Sequence, residues 1–308
     1  KYSKLFPSDG SRSFRFKYCG FDRKHMLPSW IVLAVLLKRW LREHIGRGDQ
    51  TTRGLGGVAP EPGHAHWVAK EDGVVAGLPL AERTFRLLEQ AVVFRSRVKE
   101  GAKVEKGDVI AEIDGQLGTL LTGERVALNL TMSLSGIATM TRHFADVIED
   151  LPTRLVDTRK TTPGLRILEK YAAFVGGAQN HRMGLDDGVM IKDNHIAAAG
   201  GIEQAITAIR SRIPYPVTIE VETESLEQIK EAIQHGADII MLDNMLPEKM
   251  RMAVDIIRAA NQRIKIEASG NIHIETIRAV AETGVDYISS SAPITRSPWM
   301  DLSMRIRQ

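Results

Sequence analysis

Residues 217–244 read VTIEVETESLEQIKEAIQHGADIIMLDN, and this stretch decides the fold class. VTIEV is a short β-branched run of the kind that fills a strand buried on both faces. Leu226 to His235 follows with Leu226, Ile229 and Ile233 at helical spacing. DIIML (238–242) is a second apolar run. A strand, a helix and a strand in this order make a parallel pair with a right-handed crossover. The alternation continues on both sides. RLVD (154–157), GVMI (188–191), IKIEA (264–268) and VDYIS (285–289) are further strand candidates, and Pro247 to Ala260 is a further helix. Repeated βα units give a parallel sheet, and this many can close into a barrel.

A βα barrel places its active site at the carboxyl ends of its strands. The residues there are Asp157-Thr158-Arg159-Lys160, Lys192-Asp193-Asn194, Glu222, Asp243-Asn244, Ser269-Gly270-Asn271 and Ser290-Ser291. Between 154 and 195, Arg159, Lys160, His181, Arg182, Lys192 and His195 stand beside glycines and short apolar runs, not in a solvated charge block. Such cations converge in a fold only with anions to balance them, so the pattern implies a deep site for a polyanionic ligand. Arginine grips carboxylate or phosphate through two parallel hydrogen bonds, and lysine supplies a compact charge. Glu222 and Asp243 suit sugar hydroxyls or the shell of a hydrated Mg²⁺. Ser269-Gly270-Asn271 offers backbone N–H groups and a hydroxyl to a phosphate. Together these describe a ligand with carboxylates, a ribose and phosphates.

At 308 residues the chain is long enough for about two domains. Lys and Arg number 41 against 38 Asp and Glu, which excludes a global nucleic-acid signature and leaves the cationic site local. Cys19 is the single cysteine, so there is no internal disulfide framework, and a reducing, cytoplasmic setting is expected. The longest apolar run, Trp30 to Leu37, is too short to span a bilayer, and no membrane partner is expected. Residues 1–25 are basic, aromatic and aperiodic, and they read as a non-native or disordered leader ahead of Met26.

Residues 26–143 read as an α/β sandwich domain and 144–293 as the barrel, with 294–308 expected to pack back on the first domain. Ser29 to Glu43 is an amphipathic helix with Ile31, Val32, Val35, Leu36 and Trp40 on its apolar side, broken by Gly46-Arg47-Gly48-Asp49. HWVAK, GVVAG, VVFRSRV, DVIAEI and GTLLT are β-like runs between Ala65 and Leu121, punctuated by Gly-Asp and Asp-Gly pairs suited to hairpins. Glu124 to Ile148 returns to helix, with Ser133, Ser135, Gly136 and Ala138 permitting close packing. VKEGAKVEKGDVIAEIDG is similar to the half-barrel of biotinyl and lipoyl carriers, but Lys103 and Lys106 flank the turn instead of occupying a hairpin tip, so no carried cofactor is expected.

The blocks DTRKTTPGLR, NHRMGLDDGVMIKDNH, EVETESLEQ, ADIIMLDN, EASGNI and DYISSSAPITRS strongly resemble the quinolinate phosphoribosyltransferases. IGRGDQTT, KEDGVVAGLP and GERVALNLTMSLSGIAT resemble that family's amino-terminal half. The resemblance implies an α/β sandwich joined to an incomplete, seven-stranded α/β barrel. It implies a reaction of quinolinate with phosphoribosyl pyrophosphate, requiring Mg²⁺, that gives nicotinate mononucleotide, pyrophosphate and carbon dioxide. By motif, Arg125, Arg159, His181, Arg182 and Lys192 would hold the two quinolinate carboxylates, and Lys160 would sit between quinolinate and pyrophosphate. Glu222 and Asp243 would contact ribose and the metal-bound substrate; Ser269, Gly270, Asn271 and Ser291 would bind the 5′-phosphate. No side chain is expected to ligate the metal directly. Arg125 would come from the neighbouring subunit of a homodimer, with a hexamer also open. His44 and Ser290-Ser291 depart from the family pattern. Three other readings stay open: a nicotinate phosphoribosyltransferase, a molybdenum-transport-associated paralogue, and a non-catalytic phosphosugar-binding barrel.

Overall fold

The computed structural model describes residues 27–307, so the expectation for the leader lies outside the described residues. The amino-terminal part runs α1 (Trp30–Ile45), α2 (Gln50–Gly54), β1 (Pro62–Ala69), β2 (Gly73–Val74), α3 (Leu78–Leu88), β3 (Val93–Ser96), β4 (Lys103–Val104), β5 (Val109–Gln116) and α4 (Leu117–Val147). The barrel part continues with β6 (Arg154–Val156), α5 (Arg166–Gly176), β7 (Val189–Ile191), α6 (Asp193–Ala199), α7 (Ile202–Arg210), β8 (Ile219–Thr223), α8 (Leu226–Gln234), β9 (Ile239–Asp243) and α9 (Pro247–Ala260). It closes with β10 (Lys265–Ser269), α10 (Ile277–Ala281), β11 (Tyr287–Ser289), α11 (Ala292–Thr295) and β12 (Leu302–Arg307).

The first sheet is antiparallel in the order β12-β1-β5-β3. Its outer strand β12 is the last of the chain and pairs with β1 from Ala69↔Leu302 to His64↔Arg307. Trp67, Phe85 and Phe94 meet in its core, with Trp67 edge-on to both phenylalanines at 6.3 and 6.0 Å. The second sheet is parallel in the order β6-β11-β10-β9-β8-β7. Beyond β6, Gln179 adds one parallel bridge to Val156, donating to the Leu155 carbonyl at 2.8 Å and accepting from Asp157 N–H at 3.2 Å. The expected seven strands are thus six full strands and this single bridge among the described residues. Across the seam, the Arg182 guanidinium donates to the Gly188 carbonyl just before β7, at 2.8 Å.

Helix α4 joins the two halves. Its 31 residues span about 46 Å. Leu120, Ala127 and Leu128 enter the first core, and Leu134, Ile137 and Phe144 enter the second. The small residues on α4 receive the chain's own segments. Ser135 Oγ accepts from Ala76 N–H at 2.9 Å, and a Cβ on Gly136 would lie 1.9 Å from the Pro298 carbonyl oxygen.

Three local expectations fail. GTLLT is the first turn of α4 and not a strand. Leu117, Leu120 and Leu121 already carry i, i+3, i+4 spacing, and burial of Leu120 overrides the weak helix propensity of Gly118 and Thr119. Asp114-Gly115 lies within β5, where Asp114 pairs with His64 and Arg95 across the sheet, so it makes no turn. Helix α1 buries Leu33, Leu37 and Leu41, while Ile31 is 82% and Val35 67% exposed. The helix is apolar on two opposite sides, and periodicity cannot say which of them faces the core.

Candidate active site

The carboxyl ends of the parallel strands enclose a cavity of about 880 Å³. Arg159, Lys160, His181, Arg182 and Lys192 line it, as do Glu222, Asp243, Ser269, Gly270, Asn271 and Ser291. Two expected cations stand apart. His195 is exposed on α6, where its Nδ1 accepts the Lys192 N–H at 3.0 Å, so it shapes a helix start. Arg125, from the first helical turns of α4, is half exposed and does not line the cavity of its own chain.

One wall is cationic. Burial and the Arg159 charge lower the Arg182 pKa, although guanidinium remains charged at any physiological pH. Arg182 Nε is buried without a hydrogen-bond partner. Lys192 and Glu222 form an ion pair across the mouth of β7 and β8. An incoming carboxylate would compete for Lys192 and release Glu222.

The ends of β9 and β10 form a backbone cradle. Asn244 and Asn271 both have positive φ, at 52° and 51°, and Gly270 between the strand ends has φ 95°. A Cβ on Gly270 would fall 2.2 Å from Asn244 Oδ1, so this position admits no side chain. Asn271 donates to that same oxygen at 3.2 Å, and Asn244 donates to Asp243 at 2.6 Å. Left-handed residues clustered at strand ends are held by their surroundings and collect at ligand sites. His273, Thr295 and Arg296 complete this side. Sequence reasoning missed them. His273 directly follows the quoted EASGNI, and Thr295 and Arg296 lie within the quoted DYISSSAPITRS, where no role was assigned to them. Both serines line the cavity, and Ser290 Oγ donates to the Ile272 carbonyl at 3.2 Å, which braces the loop.

Beneath the cationic wall lies a polar floor that the sequence did not reveal. Lys170, fully buried on α5, forms an ion pair with buried Asp157. Burial pushes Asp157 up and Lys170 down, and their mutual attraction opposes both. Asp157 also accepts from Asn180 at 2.6 Å and from the His181 N–H at 2.8 Å, a donor set that favours the carboxylate. The His181 Nδ1 accepts the Arg182 N–H at 2.7 Å. Its Nε2 lies 3.1 Å from Glu220 and 3.5 Å from Glu267. Burial opposes charge on this imidazole, but the Glu220 hydrogen bond and the charges of Glu267 and Glu220 outweigh it and raise its pKa. Full protonation would nonetheless displace the Arg182 N–H from Nδ1, so the tautomer with its proton on Nε2 fits this geometry. Both ring nitrogens of His181 are then engaged by the protein. The expected direct grip on a substrate carboxylate would require one of them to be released.

An α/β protein with cationic side chains and a glycine-containing backbone cradle at the strand ends of one cavity has the form of an anion-binding α/β enzyme. The chain belongs to the quinolinate phosphoribosyl transferase family: that family's amino-terminal domain matches residues 49–135, and its carboxyl-terminal domain matches residues 137–305. It is 59% identical over 280 residues to a probable nicotinate-nucleotide pyrophosphorylase (carboxylating) of Synechocystis, covering 91% of this chain and 94% of that protein. It is 46% identical over 274 residues to the corresponding probable enzyme of Bacillus subtilis, covering 89% and 93%. The crystal structure of NadC from Streptococcus pyogenes superposes with a TM-score of 0.86 at 41% identity, over 90% of this chain and 97% of that one.

Proposed function

We propose that this chain transfers phosphoribosyl from phosphoribosyl pyrophosphate to quinolinate with decarboxylation, giving nicotinate mononucleotide, pyrophosphate and carbon dioxide. It is a transferase of NAD biosynthesis. The observation that carries the reading is a single cavity lined by two different sets of strand-end groups. Arg159, Arg182 and Lys192 enter it from beside β6 and β7, and Ser269, Gly270, Asn271 and Ser291 from the ends of β10 and β11. The first set suits a diacid and the second a 5′-phosphate.

The chemistry follows from these positions. Loss of pyrophosphate leaves positive charge on the anomeric carbon, which Glu222 and Asp243 stabilise from the strand ends. Lys160 stabilises the departing pyrophosphate. The ring nitrogen of quinolinate attacks, and its quaternisation makes the ring an electron sink. The carboxylate at ring position 2 then leaves as carbon dioxide. Positioning of the two substrates can supply about 7–11 kcal/mol of the barrier. The oxygen-rich pair Glu222 and Asp243, with Lys192 and Asn244 taking up part of their hydrogen-bonding capacity, suits the water shell of Mg²⁺ held mainly by substrate phosphates. Such an ion would neutralise pyrophosphate charge.

The active unit is a homodimer in which Arg125 completes the neighbour's site. Exposed Ile31, Val32 and Val35 on α1 and half-exposed Arg125, absent from its own cavity, support this. A reducing, cytoplasmic setting agrees with the single cysteine.

Purified protein with quinolinate, phosphoribosyl pyrophosphate and Mg²⁺ should yield nicotinate mononucleotide, followed by chromatography. Product from nicotinate and none from quinolinate would overturn the reading. For the dimer, Arg125→Ala and Lys160→Ala should each be nearly inactive. Co-refolded, they should regain roughly a quarter of wild-type activity, because mixed dimers carry one intact site. A mixture that stays inactive beside an active wild-type refolding control would place Arg125 outside the neighbour's site.

A further inference from the structure

The reaction proposed above removes a carboxylate from a ring carbon and must put a hydrogen in its place. The cavity floor holds a group suited to this. Glu267 on β10 and His181 both line the cavity, and Glu220 on β8 lies beneath them. Both carboxyl groups reach the same His181 Nε2, at 3.5 and 3.1 Å. Glu220 is 3% and Glu267 4% exposed. Two carboxylates this close and this dry cannot both stay ionised without a cation between them. Lys170 is committed to Asp157, and the cation that acts on Glu220 is the Arg182 guanidinium. His181 offers one proton to the pair while its other nitrogen accepts the Arg182 N–H. One cation facing two carboxyl groups balances one carboxylate, Glu220, and leaves Glu267 as the one favoured in its acid form. Oε1 of Glu267 and Oε1 of Glu220 are each buried with no hydrogen-bond partner among the described residues, so a proton on either has no protein acceptor to hold it.

We propose that Glu267, held as the acid beside the Glu220 carboxylate, supplies the proton that replaces the departing carboxylate on the ring carbon. The proposal rests on the quinolinate reading. When the carbon–carbon bond breaks, its electron pair stays on the ring carbon and carbon dioxide leaves. The Glu267 O–H bond then breaks with its pair staying on oxygen, and the proton forms the new C–H bond. Glu267 is left as a second carboxylate beside Glu220, and it regains a proton from water once product has left the open cavity. The groups facing Glu267 agree with the acid form at rest. Burial and the Glu220 charge push its pKa up to about 7, Asp157 adds to the rise, and His181 and a Ser289 hydrogen bond oppose it. The cavity also holds the ammonium groups of Lys160 and Lys192 and the imidazoles of His181 and His273; Lys192 is paired with Glu222, and the His181 proton is directed at the two carboxyl groups.

The test separates the two steps in a single turnover of full-length protein with quinolinate, phosphoribosyl pyrophosphate and Mg²⁺. In Glu267→Gln, pyrophosphate release should persist while nicotinate mononucleotide formation falls about 100-fold, the scale of a lost general acid. Undecarboxylated quinolinate mononucleotide should accumulate. Equal loss of both steps would reduce Glu267 to a structural role and overturn the proposal. An unchanged second step would assign the proton to Lys160, Lys192 or water and overturn it equally. Glu220→Gln provides a second arm should the first variant not fold. Removing the neighbouring charge should move the pH profile of the second step to lower pH, and an unmoved profile refutes the pairing. A wild-type protein that makes no product from quinolinate defeats the functional reading itself, which an active wild type with an unaffected Glu267→Gln does not.

Discussion

The core of the amino-terminal sheet and the floor of the barrel are both buried, yet they are held in opposite ways. Trp67, Phe85 and Phe94 pack edge and face with no charge among them. Asp157, Lys170, His181, Glu220 and Glu267 fill the space under the cavity with charge and hydrogen bonds. The first core is stabilised by area removed from water, and it tolerates any shape that fills it. The second is stabilised only while its protons and charges balance. That makes it a poor source of stability and a good way to fix the backbone of His181 and Arg182 beneath a ligand.

The largest expected effect breaks the charged floor. Lys170→Ala leaves Asp157 buried without its cation and should cost about 3–5 kcal/mol in urea unfolding. Replacing both partners, Lys170→Met with Asp157→Asn, should recover much of that loss. In the aromatic core Phe85→Ala should also cost about 3–5 kcal/mol, but no second substitution that removes a polar partner can rescue it. A double variant as unstable as Lys170→Ala would show that shape, not charge, governs the floor. The next effect concerns what the floor supports. Arg159→Ala should weaken quinolinate binding by about 2–5 kcal/mol and leave phosphoribosyl pyrophosphate binding nearly intact, because a desolvated carboxylate loses its partner. Calorimetry with each ligand alone decides it, and equal losses for both would mean that Arg159 does not face the diacid.

The same contrast explains what could be read from the chain. The barrel strands were legible because each is a short buried run, and their polar ends followed directly: Arg159, Lys160, Glu222, Asp243 and Ser269 all reach one cavity. Helix α9 was legible at both ends because Pro247 opens it and the apolar spacing runs unbroken. Where two readings shared one pattern, the sequence could not choose. Helix α1 offers two apolar sides, and GTLLT suits strand or helix until Leu120 finds its core. The floor was illegible for a different reason. Lys170 and Asp157 lie 13 residues apart, on a helix and just past the end of a strand, and Glu220, Glu267 and His181 come from three more segments. Only the three-dimensional fold brings them within reach of one another, and burial gives each of them a role that its residue type does not announce.

The smallest effect tests the proton balance through stability alone. In the unfolded chain Glu267 titrates near its ordinary 4.5, and in the folded protein it is pushed up to about 7. The native state therefore holds a proton that the unfolded state has lost. Stability must fall as pH rises from about 4.5 through about 7, by up to about 3 kcal/mol, and stay low above that. His181 contributes in the same direction. Its folded pKa is raised, so its share is present below the ordinary histidine range and fades as pH rises through the folded value. Glu267→Gln removes the Glu267 share and leaves that of His181. Urea unfolding at pH 5 and pH 8 should show a clear loss for the wild type and a shallow one for the variant, which should be the more stable protein at pH 8. Parallel curves would mean that Glu267 is ionised in the folded protein. Arg182 and a protonated His181 would then balance the two carboxylates, and the contrast with the aromatic core would rest on ion pairs without a neutral acid among them.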